Sequence, residues 1–198
     1  FRIKLSNKRE TKKGTLPWWC LHWPRYKELF TEEKILLRQT SDSIMATYDD
    51  SGYFALNSIL IFKIKPEIDI DYHYALSILN SKLTTFIYKN FTGEDGRVFA
   101  EVKPKNVRKL FIPRIDKKYQ NKFGFLARQI IENKKKRSDY NSLLEEVKLE
   151  NNFEREIKLK NELETIEDVL LSSINNIDQM IYSLYDLTEE EIQIVENS

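Results

Sequence analysis

"KILLRQTSDSIMATYDDSGYFALNSILIFKI", residues 34–64, decides how the rest of the chain is read. Within it "KILLRQ" (34–39), "SIMATYD" (43–49) and "YFALNSILIFKI" (53–64) are rich in β-branched and aromatic residues and are parted by Ser-Asp and Asp-Asp-Ser-Gly turn sequences. The expectation is an antiparallel meander, with "DDSG" as a hairpin loop in which Gly52 takes a positive φ. Apolar alternation explains the strands. It does not explain the polar cluster Arg38, Gln39, Thr40, Ser41, Asn57 and Ser58, which asks for a second reason.

C-terminal to this unit, "DYHYALSILNSKLTTFIYKNF" (71–91) places Tyr72, Ala75, Leu76, Leu79, Leu83, Phe86 and Ile87 at three- and four-residue steps. That period predicts an amphipathic helix of about five turns packed on the sheet. A glycine-containing loop, a short strand near 98–102, a helical turn from Pro104 and an apolar "LFIP" (110–113) returning to the sheet are expected next. On the N-terminal side, Trp18, Trp19 and Trp23 predict a short aromatic-anchored element ending near Pro24.

From Asp116 onward strand signals stop, and Gly124 is the one Gly or Pro. Leu163, Ile166, Leu170, Ile174, Ile177, Ile181 and Leu184 form a near-heptad seam, and Phe123, Leu126, Ile130, Leu143, Leu144 and Val147 mark an earlier helix. Each narrow stripe needs a partner, so two long helices folding back near "ENN" (150–152) are predicted, followed by "TEEEIQIVE" with Thr188 and Glu191 as a capping box. The fold class is therefore α+β: a small antiparallel sheet with a packed helix over 1–115, followed over 116–198 by a long antiparallel helical hairpin with coiled-coil spacing.

Composition bounds the function. Hydrophobic residues make up 41% and charged residues 32% of 198, a globular balance. The lone Cys20 forms no internal disulfide, and there is no secretory or membrane-spanning apolar run, so a cytoplasmic protein without membrane attachment is expected. The opening "FRIKLSNKRE" starts mid-pattern without Met, which suggests a piece of a longer protein. Net charge is +1, yet residues 1–115 carry 20 Lys+Arg against 13 Asp+Glu while 116–198 carry 12 against 18. A basic front half points to a polyanion, and an acidic helical tail to protein or solvent.

Catalytic chemistry is mostly missing. Cys20, His22 and His73 are too few and too scattered for a zinc site or a nucleophile with its base, and no glycine loop cradles phosphate. Asp95, Glu101 and Lys103 have the residue types of a nuclease metal site at short spacing, and read equally well as a loop entering an edge strand. No catalytic and no metal residue is assigned. What remains is binding chemistry: Lys/Arg for phosphates, and Arg, Lys, Asn, Gln, Ser and Thr for base edges. Candidates for grip are Lys8, Arg9, Lys12, Lys13, Arg25, Lys82, Lys89, Lys103 and Lys105; candidates for reading are Arg38, Gln39, Thr40, Ser41, Asn57, Ser58 and Arg97. Asn57 serves equally well as a turn residue that satisfies backbone.

The order of four motifs, "KILLR" (34–38), "ATYDDSGYFALN" (46–57), "LSILNSKLTTF" (76–86) and "LFIP" (110–113), resembles the TaqI-like C-terminal specificity domain, the target-recognition domain of type IIG restriction–modification enzymes and related adenine-specific DNA methyltransferases. "IDQMIYSLYDLTEEEIQIVE" (177–196) is similar to that family's closing helix, whereas the charged run 134–160 has no counterpart in the pattern. The resemblance implies double-stranded DNA as partner and an upstream methyltransferase domain or subunit carrying "N-P-P-[YF]", a motif this chain lacks. It implies no cofactor here and leaves S-adenosylmethionine, with or without Mg, to the parent protein, which methylates a flipped adenine with or without cleaving DNA. The tail resembles helices that space recognition domains or dock on the methyltransferase, and self-association through them is a further expectation. Two other classes stay open: a nuclease fragment built on Asp95, Glu101 and Lys103, and a helical protein–protein module.

Overall fold

The computed structural model describes residues 2–20, 25–92, 101–150 and 152–198. Strand β1 (Lys34–Arg38) lies in the middle of a three-stranded sheet, with β2 (Ala46–Asp49) on one side and β3 (Ile59–Phe62) on the other, both antiparallel to it. The three apolar runs are strands as expected, but the order β2-β1-β3 is not a meander. Strands on opposite sides of β1 run parallel to each other, and no tight turn joins parallel strands. Lys34 pairs with Asp49 at one end of the sheet and Arg38 with Ile59 at the other, so residues 50–58 carry the chain along the sheet's full length. "DDSG" opens this crossover instead of closing a hairpin; Gly52 does take a positive φ, +77°.

The start of that crossover is fixed by a buried ion pair. Lys34 is 0% exposed and Asp49 5%. The Lys34 ammonium pairs with the Asp49 carboxylate and donates to the carbonyls of Phe30 and Glu32. Asp49 in turn accepts from the backbone N–H of Ser51 at 3.0 Å and of Tyr53 at 3.1 Å. Because every charge in this cluster has its partner, burial is tolerated. The same cluster ties β1 and β2 to the short helix α3 (Glu28–Thr31), which follows the N-terminal helices α1 (Arg2–Ser6) and α2 (Arg9–Lys12).

The helix predicted over 71–91 is two helices, α4 (Tyr72–Leu79) and α5 (Lys82–Thr92). Asp71 caps the first, accepting from the N–H groups of His73 and Tyr74. Asn80 breaks the run: its Oδ1 accepts from Ala46 N–H at 2.9 Å and its amide donates to Ala46 O at 3.0 Å. One side chain thereby does for the outer edge of β2 what another strand would do. Ser81 Oγ then accepts from Thr84 N–H at 3.1 Å and opens α5. The apolar stripe passes through the break unchanged, so periodicity alone could not show it.

After α6 (Pro104–Val107), "LFIP" is not a strand. Its carbonyls are taken by tyrosines instead, Phe111 O by the Tyr185 hydroxyl at 2.6 Å and Pro113 O by the Tyr74 hydroxyl at 2.8 Å. The tail forms α7 (Lys117–Leu149), α8 (Phe153–Leu184) and α9 (Glu189–Glu196), with the Thr188–Glu191 capping box in place. Leu144 and Val147 meet Leu159, while Phe123 meets Ile177 and Ile181, which makes the long pair antiparallel. The predicted seam shifts at Ile174, 36% exposed, because Asp178 and Tyr182 turn inward on the flank that meets α5 and α9.

One apolar cluster under the sheet joins Ile35, Leu37, Ile44, Ala75, Leu79, Tyr88 and Val102. A second joins Tyr74, Ile78 and Leu83 to Phe123, Ile177, Ile181, Tyr182 and Val195, so it spans residue 115. Gln120, 1% exposed, bonds all its amide atoms across the same joint: it accepts from Asp71 N–H and donates to Asp69 O and Ile115 O. No described helix is long and apolar enough to cross a membrane.

Lys34→Met is expected to cost about 3–5 kcal/mol, because Asp49 then stays buried without its counter-charge. Burial pushes the Asp49 carboxyl up, but Lys34 and the two amides pull it further down, to below the usual carboxylate range. A lowered folded pKa contributes stability above the unfolded pKa and loses it as pH falls through the folded value. Urea denaturation at stepped pH should therefore show the acid loss of stability below about pH 4, shallower in the variant. Matching curves for the two proteins would remove this role from the pair.

Candidate nucleic-acid interface

Three segments distant in sequence meet where β1 ends. Arg38 lies opposite Ile59 in the sheet. One residue further, Gln39 N–H donates to Ser58 O at 2.9 Å, and Gln39 O accepts from Val102 N–H at 2.7 Å. The backbone of Gln39 thus sits between the end of the crossover and the segment leading into α6, and the polar residues of 38–41, 57–58 and 103–105 form one corner.

Arg38, Thr40, Asn57, Ser58 and Lys105 are exposed there. Among the described residues none of these five has a side-chain hydrogen bond or ion pair, so their polar atoms face solvent. For Asn57 this leaves the turn-satisfying role without a bond to support it; the local turn closes through Ile59 N–H to Leu56 O at 3.1 Å. Gln39 and Ser41 are partly buried and partly spent. The Gln39 amide donates to the Glu101 carboxylate, and Ser41 Oγ accepts from Ser43 N–H at 3.3 Å.

Tyr88, 0% exposed on α5, supports the third segment from below. Its hydroxyl accepts from Lys103 N–H at 3.3 Å and lies 3.5 Å from Glu101 O, to which it donates. In the sequence Tyr88 is one more apolar step on a helix, and nothing there marks it as the prop of the corner.

The remaining candidates lie elsewhere. Lys12 and Lys13 belong to the exposed end of α2, away from the sheet in the chain, and Arg25 is exposed just before α3. Lys89 is partly buried on α5, and Arg97 is outside the described residues. Lys82 is committed to the C-terminal end of the chain: its ammonium pairs with Glu196, which also accepts from the Tyr182 hydroxyl at 2.7 Å. Both contacts pull Glu196 below the usual carboxylate range. The Lys82 N–H donates to Asp178 Oδ1 at 3.0 Å, while Asp178 Oδ2 is buried without a hydrogen-bond partner; burial pushes this carboxyl up, against the pull of Lys82.

Among the described residues no three His, Cys, Asp or Glu side chains converge on a common point. Of the nuclease triad, Asp95 lies outside the described residues, Glu101 accepts from Gln39, and Lys103 is held through its backbone by Tyr88. His22, Trp23, Pro24 and residues 98–100 of the strand expected near 98–102 are also outside the described residues, and its last two residues, Glu101 and Val102, are not in a strand.

Tyr88→Phe is expected to cost about 1 kcal/mol, with the effect concentrated at the corner. Amide hydrogen exchange should accelerate at Lys103 while Ile35 and Leu37 in β1 keep their protection. Unchanged exchange at Lys103 would show that the hydroxyl does not hold this segment.

The family model of the TaqI-like C-terminal specificity domain matches residues 3–112. Over 59 residues, 28% of this chain, the sequence is 39% identical to a protein of Methanocaldococcus jannaschii that carries the name of a type II restriction enzyme and methyltransferase. The chain spans 5% of that protein's length. The matched family covers β1 to β3, α4 to α6 and the corner around Gln39, and the chain belongs to the family of TaqI-like C-terminal specificity domains.

Proposed function

We propose that this chain recognises a double-stranded DNA sequence on behalf of a type II restriction–modification polypeptide, with residues 1–115 as the recognition unit and 116–198 as a spacer and docking region. The observation that supports it most is the corner at the end of β1, where Arg38, Thr40, Asn57, Ser58 and Lys105 are brought together with unspent polar atoms. Arg and Asn are the side chains that make paired hydrogen bonds to guanine and adenine edges, and Lys grips phosphate. Arg38 and Asn57 are the proposed base readers; Lys103, Lys105, Lys12, Lys13 and Arg25 are proposed for the backbone. Lys82 is the weakest of the original set because Glu196 already neutralises it.

Methyl transfer from S-adenosylmethionine belongs, in this reading, to another part of the parent protein, and the chain alone neither methylates nor cleaves DNA. Fluorescence anisotropy with duplex DNA over a salt series tests the reading. Affinity should fall steeply with salt, and Lys105→Ala should weaken all sequences alike and reduce the slope by about 1. Arg38→Ala should instead cost about 1–3 kcal/mol on the preferred duplex and relax the choice of one base pair. Binding that is flat in salt, or cleavage by the purified chain, would count against it.

A further inference from the structure

Residues 53–56 raise a question that the sheet and its core leave unanswered. Tyr53 and Phe54 are each 69% exposed and Leu56 is 79% exposed, three large apolar side chains on one crossover. Leaving Phe and Leu in water forgoes the favourable transfer of their apolar surface out of water. Their backbone is nevertheless well tied down: Tyr53 N–H is held by Asp49, and Ser58 O by Gln39 N–H. The exposed apolar atoms therefore sit on an anchored loop.

The loop forms one wall of an open trough of about 900 Å³, lined among others by Arg25, Phe30, Phe54, Leu56, Asn57 and Ile59. Phe54 stacks on Phe30, with ring centroids 4.8 Å apart and planes 18° from parallel, so two aromatic rings share one wall of the trough. Among the described residues, Arg25 is the single charged residue in the lining, and no carboxylate lines it. The trough runs directly into the polar corner, because Asn57 follows Leu56 and Ile59 pairs with Arg38. An aromatic and aliphatic surface with a cationic rim, continuous with unspent base-reading side chains, suits nucleobases better than an acidic or purely aliphatic partner. Phe and Leu are also the residue types that enter a base step and kink a duplex.

We infer that residues 53–56 form an apolar wedge that enters a base step of the bound duplex, with Leu56 inserted and Phe54 stacked on the exposed base face beside the pairs met by Asn57 and Arg38. The inference rests on the proposed DNA recognition and adds to it a contact that reads deformability: the step entered should be a pyrimidine–purine step, the kind that unstacks most easily.

The test uses the full 198-residue chain and a duplex enriched by it from a randomised pool, with 2-aminopurine placed in turn at each step. Wild-type protein should raise 2-aminopurine fluorescence severalfold at one step. Leu56→Ala and Phe54→Ala should abolish the rise and weaken binding on the order of tenfold, with the salt slope unchanged. Leu56→Ala, at a position without core contacts, keeps the test independent of the Phe30 stack. No fluorescence change at any step, or wild-type affinity in both variants, overturns the wedge while leaving DNA recognition standing. A change of sedimentation coefficient in Leu56→Ala without any change in DNA binding also overturns it, by showing that the face meets protein. Failure to enrich any duplex overturns both readings.

Discussion

The Lys34–Asp49 ion pair sets the geometry on which the rest of the fold depends. It joins the first residue of β1 to the last of β2, and so fixes the register of that pair at the end of the sheet farthest from the polar corner. Asp49 also holds the N–H groups of Ser51 and Tyr53, which turns the chain out of β2 and into the crossover. A crossover started there has to end beside Arg38, since β3 pairs with the free side of β1. The position of Asn57 and Ser58 next to Arg38 and Gln39 thus follows from a buried charge pair at the opposite end. A buried pair is a poor source of net stability compared with a hydrophobic substitute. Its service here is direction: a segment with three β-prone apolar runs is given one strand order out of the available ones.

A second constraint couples the sheet and its helices α4 and α5 to the helical tail. Tyr74, Ile78 and Leu83 share their core with Phe123, Ile177, Ile181 and Val195. Polar bonds register that contact finely, with Gln120 serving three backbone groups and Tyr185 and Tyr74 binding the carbonyls of the 111–113 connector. Gly124 lies where a Cβ would meet Asp71 Oδ1 and the Arg128 guanidinium at 3.4 Å, which lets α7 lie close to the start of α4. The first turns of α7 and the last turns of α8 are therefore built into the same body as the sheet, while among the described residues their far ends, around 144–159, pack on each other.

The sequence is legible where structure is local. "KILLR" and the apolar steps of Leu170, Ile177 and Ile181 locate a strand and a seam, and Thr188 with Glu191 completes a cap within four residues. It becomes illegible where a residue's partner is remote. Strand order turns on Lys34 and Asp49, each of which looks like an ordinary charged strand end. The break between α4 and α5 turns on Asn80 finding Ala46, 34 positions earlier. The same holds for the candidate site. Arg38–Gln39–Thr40–Ser41 and Asn57–Ser58 stand out because polar runs beside apolar strands need a reason, but Lys82 gives no sign that Glu196, 114 positions later, neutralises it. Tyr88 and Asp178 are hidden for the same cause: each sits on a helix face whose apolar neighbours fully account for it in sequence.

If the corner meets DNA as proposed, Glu101 limits how a duplex can sit on it. Its carboxylate accepts from the Gln39 amide. A carboxylate repels phosphate but accepts well from the exocyclic amine of cytosine. A duplex that lay with its backbone across the centre of the corner would therefore oppose Glu101, whereas one that turns its groove toward Gln39 and Glu101 leaves the phosphates to the cations at the rim. The Gln39 bond matters for this, because it ties the Glu101 carboxylate to the segment that follows β1. The corner itself follows from three backbone segments held around Gln39, and not from the composition of any one of them.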